Sequence, residues 1–195
     1  MWGMDERLAW LSKQYCTDGT QVTVVEQAEE GEAQVQFVSS ERLICLNSPN
    51  NKPLYFLDMR KLADGIILQL GASSTALHIV ECKKTIKEKN WGSVKEQWAG
   101  AVQSAFALCG VLGVPAPANT DIFLYSAYRE DKLSAAQNTN PALLKMLVGV
   151  TAAEQKPQAL DWSQQQVKIL EHQFEHRKIQ LDETGNGRFE IGDCH

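Results

Sequence analysis

Apolar residues come in short runs of strand length over the first third of the chain. Residues 21–26 and 33–38 are rich in residues that favour β-strands and flank a turn with a glycine, so we expect a hairpin there. Two more apolar runs, 41–47 and 53–59, are separated by a cluster of turn-forming residues around a proline. The pattern therefore predicts several short strands in succession.

The middle of the chain predicts two strands that are buried on both faces. Residues 64–70 and 76–83 are each nearly continuous in apolar residues before a polar end, which is typical of strands within a covered sheet. A further strand is predicted at 121–128. We expect the first two of these strands to pair through the loop at 71–75.

A long amphipathic helix is predicted after these two strands. Ser93 and Glu96 have the spacing of a capping box, and apolar residues then recur every three or four positions as far as Leu112. Gly113 is a typical residue for the end of such a helix. A shorter helix is predicted at 5–15.

The C-terminal third gives weaker signals. Residues 141–148 predict a short helix, 163–175 fit either a helix or a strand, and 177–191 predict a hairpin around the residues Thr184-Gly185-Asn186-Gly187. The order of elements predicts an α/β sandwich with a mixed sheet. The length of 195 residues suits one domain, spanning 1–195.

Composition and charge narrow the function classes. Net charge is −5, whereas nucleic-acid-binding proteins are often basic, although a local basic face can still bind phosphates. Five widely spaced cysteines form no CxxC pair, which argues against a zinc ribbon and favours free thiols in a cytoplasmic protein. The most apolar stretch, 98–114, is too short to span a membrane, so we expect a buried helix and no membrane partner.

Three polar residues at the predicted strand ends form a candidate catalytic site. Glu81 and Lys83 are two residues apart on one strand, so their side chains project from the same face. Asp64 opens the preceding strand and can lie beside Glu81 if the two strands pair. Two carboxylates could hold Mg²⁺ or Mn²⁺, and a neighbouring lysine could orient the attacking water or stabilise developing charge.

These residues resemble the PD-(D/E)XK nuclease superfamily, which includes restriction endonucleases, resolvases and exonucleases. The matching segments are Ala63-Asp64-Gly65-Ile66-Ile67 and Ile79-Val80-Glu81-Cys82-Lys83, with alanine where the family usually has proline. The resemblance implies a restriction-endonuclease-like three-layer α/β core, with a central mixed sheet flanked by helices. It covers about 5–128 and leaves 129–195 as a C-terminal extension.

The resemblance also implies a function. The expected activity is divalent-metal-dependent hydrolysis of DNA, or less readily of RNA, in defence or repair. Asp64 and Glu81 would be the metal ligands, Lys83 would be catalytic, and Gln97 stands where many members have a glutamine near the metal. Such a chain is expected to form a homodimer or to be a subunit of a multi-protein complex.

Several alternatives remain open at this point. The superfamily has members that keep the fold and lose the chemistry, so the chain could be an inactive binding or partner subunit. An E-x-K segment also occurs by chance as a solvated charge pair, which would leave an unrelated α/β interaction module. Glu6 is a candidate for a further acidic residue, and Asp58 is a rival for the role of Asp64.

A basic run lies directly beyond the candidate site. It could contact a nucleic-acid backbone or could be an ordinary exposed loop; its members beyond Lys83 are Lys84, Lys87, Lys89 and Lys95.

Three weaker signals have plainer interpretations. Residues 182–193 partly match a calcium loop, but a β-turn is the better interpretation. His172 and His176 are four residues apart without a HExxH pattern, so we expect surface histidines. His78 should lie on the opposite face of its strand from Glu81.

Overall fold

The computed structural model describes residues 2–28, 31–47, 59, 61–134 and 158–194. Its helices are α1 (Met4–Leu8), α2 (Glu88–Leu112) and α3 (Gln158–Ser163), with a 3₁₀ helix at Asn119–Asp121. Its strands are β1 (Cys16–Ala28), β2 (Gly31–Asn47), β3 (Gly65–Leu70), β4 (Thr75–Ile86), β5 (Ile122–Asp131), β6 (Gln166–Ile169), β7 (His172–Gln180) and β8 (Asn186–Glu190).

All eight strands in the described ranges belong to one mixed sheet. Its order is β1-β2-β3-β4-β5-β7-β6, and β8 pairs with β2 from outside this row. The strands from β1 to β4 are antiparallel neighbours, whereas β5 runs parallel to both β4 and β7. The predicted α/β class with a mixed sheet is therefore confirmed, while the restriction-endonuclease-like arrangement stays a prediction.

Helix α2 covers one face of the central strands. Its apolar side packs on Ile66, Leu68, Leu77 and Ile79, all of them buried. Those positions alternate along β3 and β4, as the two-residue period of a strand requires. The apolar stretch at 98–114 thus forms a buried helix for most of its length, as predicted, and no described helix is long and apolar enough to cross a membrane.

The first hairpin, formed by β1 and β2, bends over the other face of the central strands. The pairing of β1 with β2 shifts at Gly19/Gln21. Beyond the shift, Phe37 reaches Tyr125 of β5, with 5.3 Å between ring centroids. A side chain at Gly65 would overlap Val24, so the hairpin lies directly against the start of β3. The described core residues on this face come from strands or directly follow them.

The main predicted elements are confirmed, with corrections at the C-terminal hairpin and at two helices. The predicted strands at 64–70, 76–83 and 121–128 correspond to β3, β4 and β5. The hairpin predicted at 177–191 is wrong, because β7 pairs with β5 and β6 whereas β8 pairs in parallel with β2. The ambiguous segment 163–175 contains β6 and the start of β7, which extend the sheet beyond residue 128.

The predicted start of the long helix is also wrong. Helix α2 begins at Glu88, and the backbone N–H of Lys87 donates to Asn90 Oδ1 at 2.9 Å instead of a cap forming at Ser93. The extra turn buries Trp91, which supplies a physical reason for the earlier start. Gly113 ends the helix in the left-handed conformation, with φ of 70°, as predicted.

The remaining predictions concern the edges of the fold. Helix α1 ends at Leu8, so the helix predicted at 5–15 is shorter than expected, and residues 41–47 continue β2. Most of the run 53–59, the helix at 141–148 and Asp58 lie outside the described residues.

The contact between α2 and the segment before Asp64 predicts a stability effect. A methyl group at Gly100 would overlap the backbone carbonyl oxygen of Lys61. We expect Gly100→Ala to lower the free energy of unfolding by about 1–3 kcal/mol in urea denaturation. The control is Gly110→Ala in the same helix, where the space is open and alanine should raise stability by about 0.5–1 kcal/mol. Equal effects at the two glycines would show that α2 does not pack closely on this segment.

Candidate active site at the ends of β3 and β4

The antiparallel pairing of β3 and β4 brings Asp64 beside the E-x-K segment. Gly65 is the register partner of Val80, so Asp64 lies just beyond it, next to Glu81. The backbone N–H of Cys82 donates to Asp64 Oδ2 at 2.7 Å. The strand pairing predicted through the loop at 71–75 is confirmed, and with it Asp64 and Glu81 come together.

Glu81 is the most deeply buried charged group of the site, with 0% of its surface exposed. Its Oε1 is paired with Lys83 Nζ, while Oε2 has no hydrogen-bond partner among the described residues. Burial, and then the neighbouring Asp64 carboxylate, raise the pKa of Glu81 well above its ordinary value. A buried carboxylate oxygen without a donor is rare, which makes Glu81 a functional-site candidate.

Asp64 and Lys83 complete the predicted trio. Burial raises the pKa of Asp64, although Lys83 and the Cys82 N–H oppose the shift. Burial by itself lowers the pKa of Lys83, but Glu81 and Asp64 outweigh it and hold this pKa above its ordinary value. Lys83 is therefore charged at neutral pH, and its partly exposed side chain links the buried carboxylates to solvent.

Glu26 is a third carboxylate at the site that the sequence did not reveal. It is half-buried on β1, and burial followed by the nearby Asp64 raises its pKa to about 7. It reaches the site only because the first hairpin folds back over the sheet. Its one sequence signal is a charged end to the apolar run at 21–26, which many strands share.

The raised pKa of Glu26 predicts a pH-dependent stability. The folded state holds this proton more tightly than the unfolded state, so the stabilisation is complete below the ordinary pKa near 4.5 and is lost as pH rises towards about 7. Over this pH range the unfolding free energy of the wild type should fall as pH rises. In Glu26→Gln this fall should be smaller, by less than about 1.4 kcal/mol per pH unit. The measurement is urea denaturation at several pH values with a chelator present. Glu88→Gln, which changes an exposed carboxylate elsewhere in the fold, serves as the control. A slope in Glu26→Gln equal to that of the wild type would contradict the prediction.

Gln97 lies next to the site but contacts the backbone before Asp64. It is buried on α2, and its Nε2 donates to the carbonyl oxygen of Leu62 at 3.3 Å. This bond ties α2 to the segment that leads into Asp64. A role for Gln97 near a metal stays a prediction.

The predicted basic residues separate into two groups. Lys84, Lys87 and Lys89 lie where β4 passes into α2, and Lys84 is close enough to Glu130 to help lower that residue's pKa, after Lys132 and Thr85. Lys95 instead forms an ion pair with Asp161, with 2.8 Å between Nζ and Oδ2. The structure therefore commits Lys95 to a contact within the protein.

Glu6 lies far from the candidate site. Its Oε2 accepts a hydrogen bond from the N–H of Gly3, the residue before α1, at 2.7 Å. The neighbouring Arg7 donates to the carbonyl oxygen of Val111, near the C-terminal end of α2. Val111 is fourteen residues from Gln97, about 21 Å along the helix. Glu6 is therefore wrong as a further acidic residue of this site.

The structure confirms the predictions for His78 and His172 and corrects the one for His176. His78 lies on the opposite face from Glu81, as predicted, and its ring nitrogens lie 2.9 Å from Tyr125 Oη and Gln69 Oε1. His172 is exposed. The expectation of a surface residue is wrong for His176, which is 4% exposed because three tryptophan rings surround it.

The segment that partly matches a calcium loop forms a turn. Asp182 Oδ1 accepts hydrogen bonds from the backbone N–H groups of Thr184 and Asn186, each at 2.9 Å. These contacts use the oxygen that a calcium ion would need, in agreement with the β-turn interpretation.

The donor set at the site fits a magnesium ion with few protein ligands. Across the ranges given above, no group of three or more His, Cys, Asp or Glu side chains is arranged to hold a metal ion. Magnesium, however, is often bound by one or two carboxylates and keeps several waters. The unpartnered Glu81 Oε2 and the adjacent Asp64 carboxylate match that smaller requirement.

Comparison with known proteins found no match. No family model matches it, and neither does any curated protein or solved structure. We therefore infer the function from the chemistry of the site.

Proposed function

We propose that this chain is a divalent-metal-dependent nuclease that hydrolyses phosphodiester bonds of DNA. The observation that carries the proposal is the fully buried Glu81 carboxylate, with one oxygen unpartnered, beside Asp64 and paired with Lys83. Burying a charged group is unfavourable unless an opposite charge, hydrogen bonds or a metal ion compensate for the lost hydration. A divalent metal ion bound at the carboxylates would give that compensation.

Each residue of the trio has a separate role in this proposal. Asp64 and Glu81 would hold Mg²⁺ or Mn²⁺, which supplies charge neutralisation at the phosphate and a lower pKa for the attacking water. Lys83 would leave Glu81 and donate to the water or to a phosphate oxygen. Gln97 would keep the segment before Asp64 in place through its bond to Leu62.

The order of elements supports the restriction-endonuclease-like assignment. Antiparallel strands β3 and β4 carry Asp64 and the E-x-K segment, α2 follows, and β5 then returns parallel to β4. The resemblance implies one helix, three antiparallel or mixed strands, a second helix and a further strand. The order α1, β2 to β4, α2 and β5 agrees with this, with β1 as an additional strand. The assignment of the chain to this superfamily remains part of the proposal.

The direction of DNA approach follows from the charges at the junction between β4 and α2. Lys84, Lys87 and Lys89 lie within a few residues of Lys83 and would contact the phosphate backbone. Because the net charge is −5, binding has to depend on this local patch. A homodimer or a larger complex would supply the remaining DNA contacts.

An inactive partner subunit is the second candidate function. It is favoured by the ion pair between Glu81 and Lys83, which occupies the two groups most needed for catalysis. In that case the trio would serve only to fix the fold. DNA cleavage by the purified chain in the presence of Mg²⁺ or Mn²⁺, and its loss on chelation, separates the two functions; absence of both cleavage and metal binding favours the partner subunit.

A further inference from the structure

A row of buried polar side chains crosses the sheet next to Glu81. The register of β4 with β5 pairs Glu81 with Ser126, and paired residues of parallel strands point to the same face. Ser126 is fully buried, and its Oγ lies 3.0 Å from Nε2 of His176 on β7. The row therefore runs from Glu81 through Ser126 to His176, beneath α2.

His176 is held in a neutral state by its surroundings. The rings of Trp91, Trp98 and Trp162 lie 5.2 to 5.5 Å from the imidazole, measured between centroids. Burial, and then the positive charge of Lys178, lower the pKa of His176 to about 3, although the Gln164 carbonyl opposes them. One ring nitrogen therefore carries a proton at neutral pH and the other does not.

The choice of tautomer decides what the Ser126 hydroxyl can do. If Nε2 is protonated, it donates to Ser126 Oγ, and the hydroxyl proton is free for another acceptor. If Nδ1 is protonated, Nε2 accepts the hydroxyl proton instead. The backbone carbonyl of Gln164, which opposes the lowered pKa, is a weak neutral acceptor for a proton on Nδ1, since Nδ1 has no hydrogen bond of ordinary geometry within the described part of the chain.

The unpartnered Glu81 Oε2 favours the first arrangement. A hydrogen bond to a carboxylate is roughly twice as strong as one between neutral groups. The strand register makes Ser126 the neighbour of Glu81 on the same face of the sheet, so its hydroxyl is the candidate donor to the unpartnered oxygen.

We propose that Ser126 and His176 are positioning residues for Glu81. The His176 Nε2–H donates to Ser126 Oγ, and the Ser126 hydroxyl donates to the Glu81 carboxylate. The pair orients that carboxylate without touching a substrate. Its effect on metal affinity rests on the proposed function, whereas the tautomer of His176 does not.

The tautomer is measured by ¹⁵N NMR of the histidine side chains at pH 7 with a chelator present. We expect the wild type to carry the proton on Nε2 of His176. In Glu81→Met the acceptor is gone, so the Ser126 hydroxyl should turn to His176 and move the proton to Nδ1. An Nδ1-protonated wild type overturns the inference, and so does an unchanged tautomer in a folded Glu81→Met; if that variant does not fold, the wild-type tautomer decides alone.

The effect on metal binding has a matched control within the chain. We expect Ser126→Ala to weaken Mn²⁺ binding, measured by calorimetry, by about tenfold or more. Ser104→Ala removes another buried hydroxyl, one on α2 that has no partner in the described ranges, and should leave the affinity within about twofold. Equal affinities in the two variants overturn the positioning role. If the wild type binds no Mn²⁺, the proposed function fails and the tautomer still tests the inference.

Discussion

Glu81→Gln is expected to lower metal-dependent DNA cleavage by at least about a thousandfold, which corresponds to about 4 kcal/mol of transition-state stabilisation. Glutamine keeps the shape of the side chain and removes the charge that would bind the metal. The assay is nicking of supercoiled plasmid with Mg²⁺ or Mn²⁺, with a chelated reaction as the blank. Because Glu81 is fully buried, the folded state of the variant is checked by urea denaturation.

Two comparisons make this result specific. Lys83→Met should lose cleavage to a similar degree yet still bind Mn²⁺, since it keeps both carboxylates. Glu88→Gln changes an exposed carboxylate in the first turn of α2 and should cleave like the wild type. Retention of cleavage in Glu81→Gln would remove this residue from the catalytic site.

Lys83→Met is expected to have the largest effect on stability, a loss of about 3 kcal/mol or more in unfolding free energy at pH 8 without metal. The substitution leaves the Glu81 and Asp64 carboxylates buried without their cation. Their raised pKa values mean that the folded state takes up protons, so the loss should shrink at low pH and grow as pH rises. Urea denaturation at pH 5 and pH 8 measures both effects.

Three further measurements establish the origin of this loss. The double variant Glu81→Gln/Lys83→Met should recover much of the stability, because the deeply buried charge is removed with its partner. Added Mn²⁺ should also stabilise Lys83→Met, since binding to the folded state alone raises its stability. Lys61→Met breaks an exposed pair with Glu96 and should change stability by less than about 1 kcal/mol. A comparable loss in Lys61→Met would show that burial of the pair is not the cause.

Local patterns in the sequence were sufficient to predict the centre of the fold. The continuous apolar runs identified β3 and β4, and their short connection fixed the antiparallel pairing that joins Asp64 to Glu81. The two-residue period of a strand was enough to place Glu81 and Lys83 together and His78 on the other face. These features depend on neighbours in sequence.

The features that the sequence did not reveal depend on distant contacts. Glu26 reaches Asp64 only through the folded hairpin, and β8 pairs with β2 rather than with its neighbour in sequence. His176 alternates with charged residues on β7, a pattern typical of an exposed strand, but α2 and α3 bring tryptophans over it. The start of α2 was misplaced because burial of Trp91 outweighed the local capping signal at Ser93.

The most direct test of a metal site at Asp64 and Glu81 is the anomalous scattering of Mn²⁺ in a crystal of the intact chain. We expect one ion with carboxylate oxygens of both residues at about 2.1 Å and with Lys83 withdrawn from Glu81. A crystal saturated with Mn²⁺ that shows no ion there and keeps the pair of Glu81 with Lys83 would contradict it.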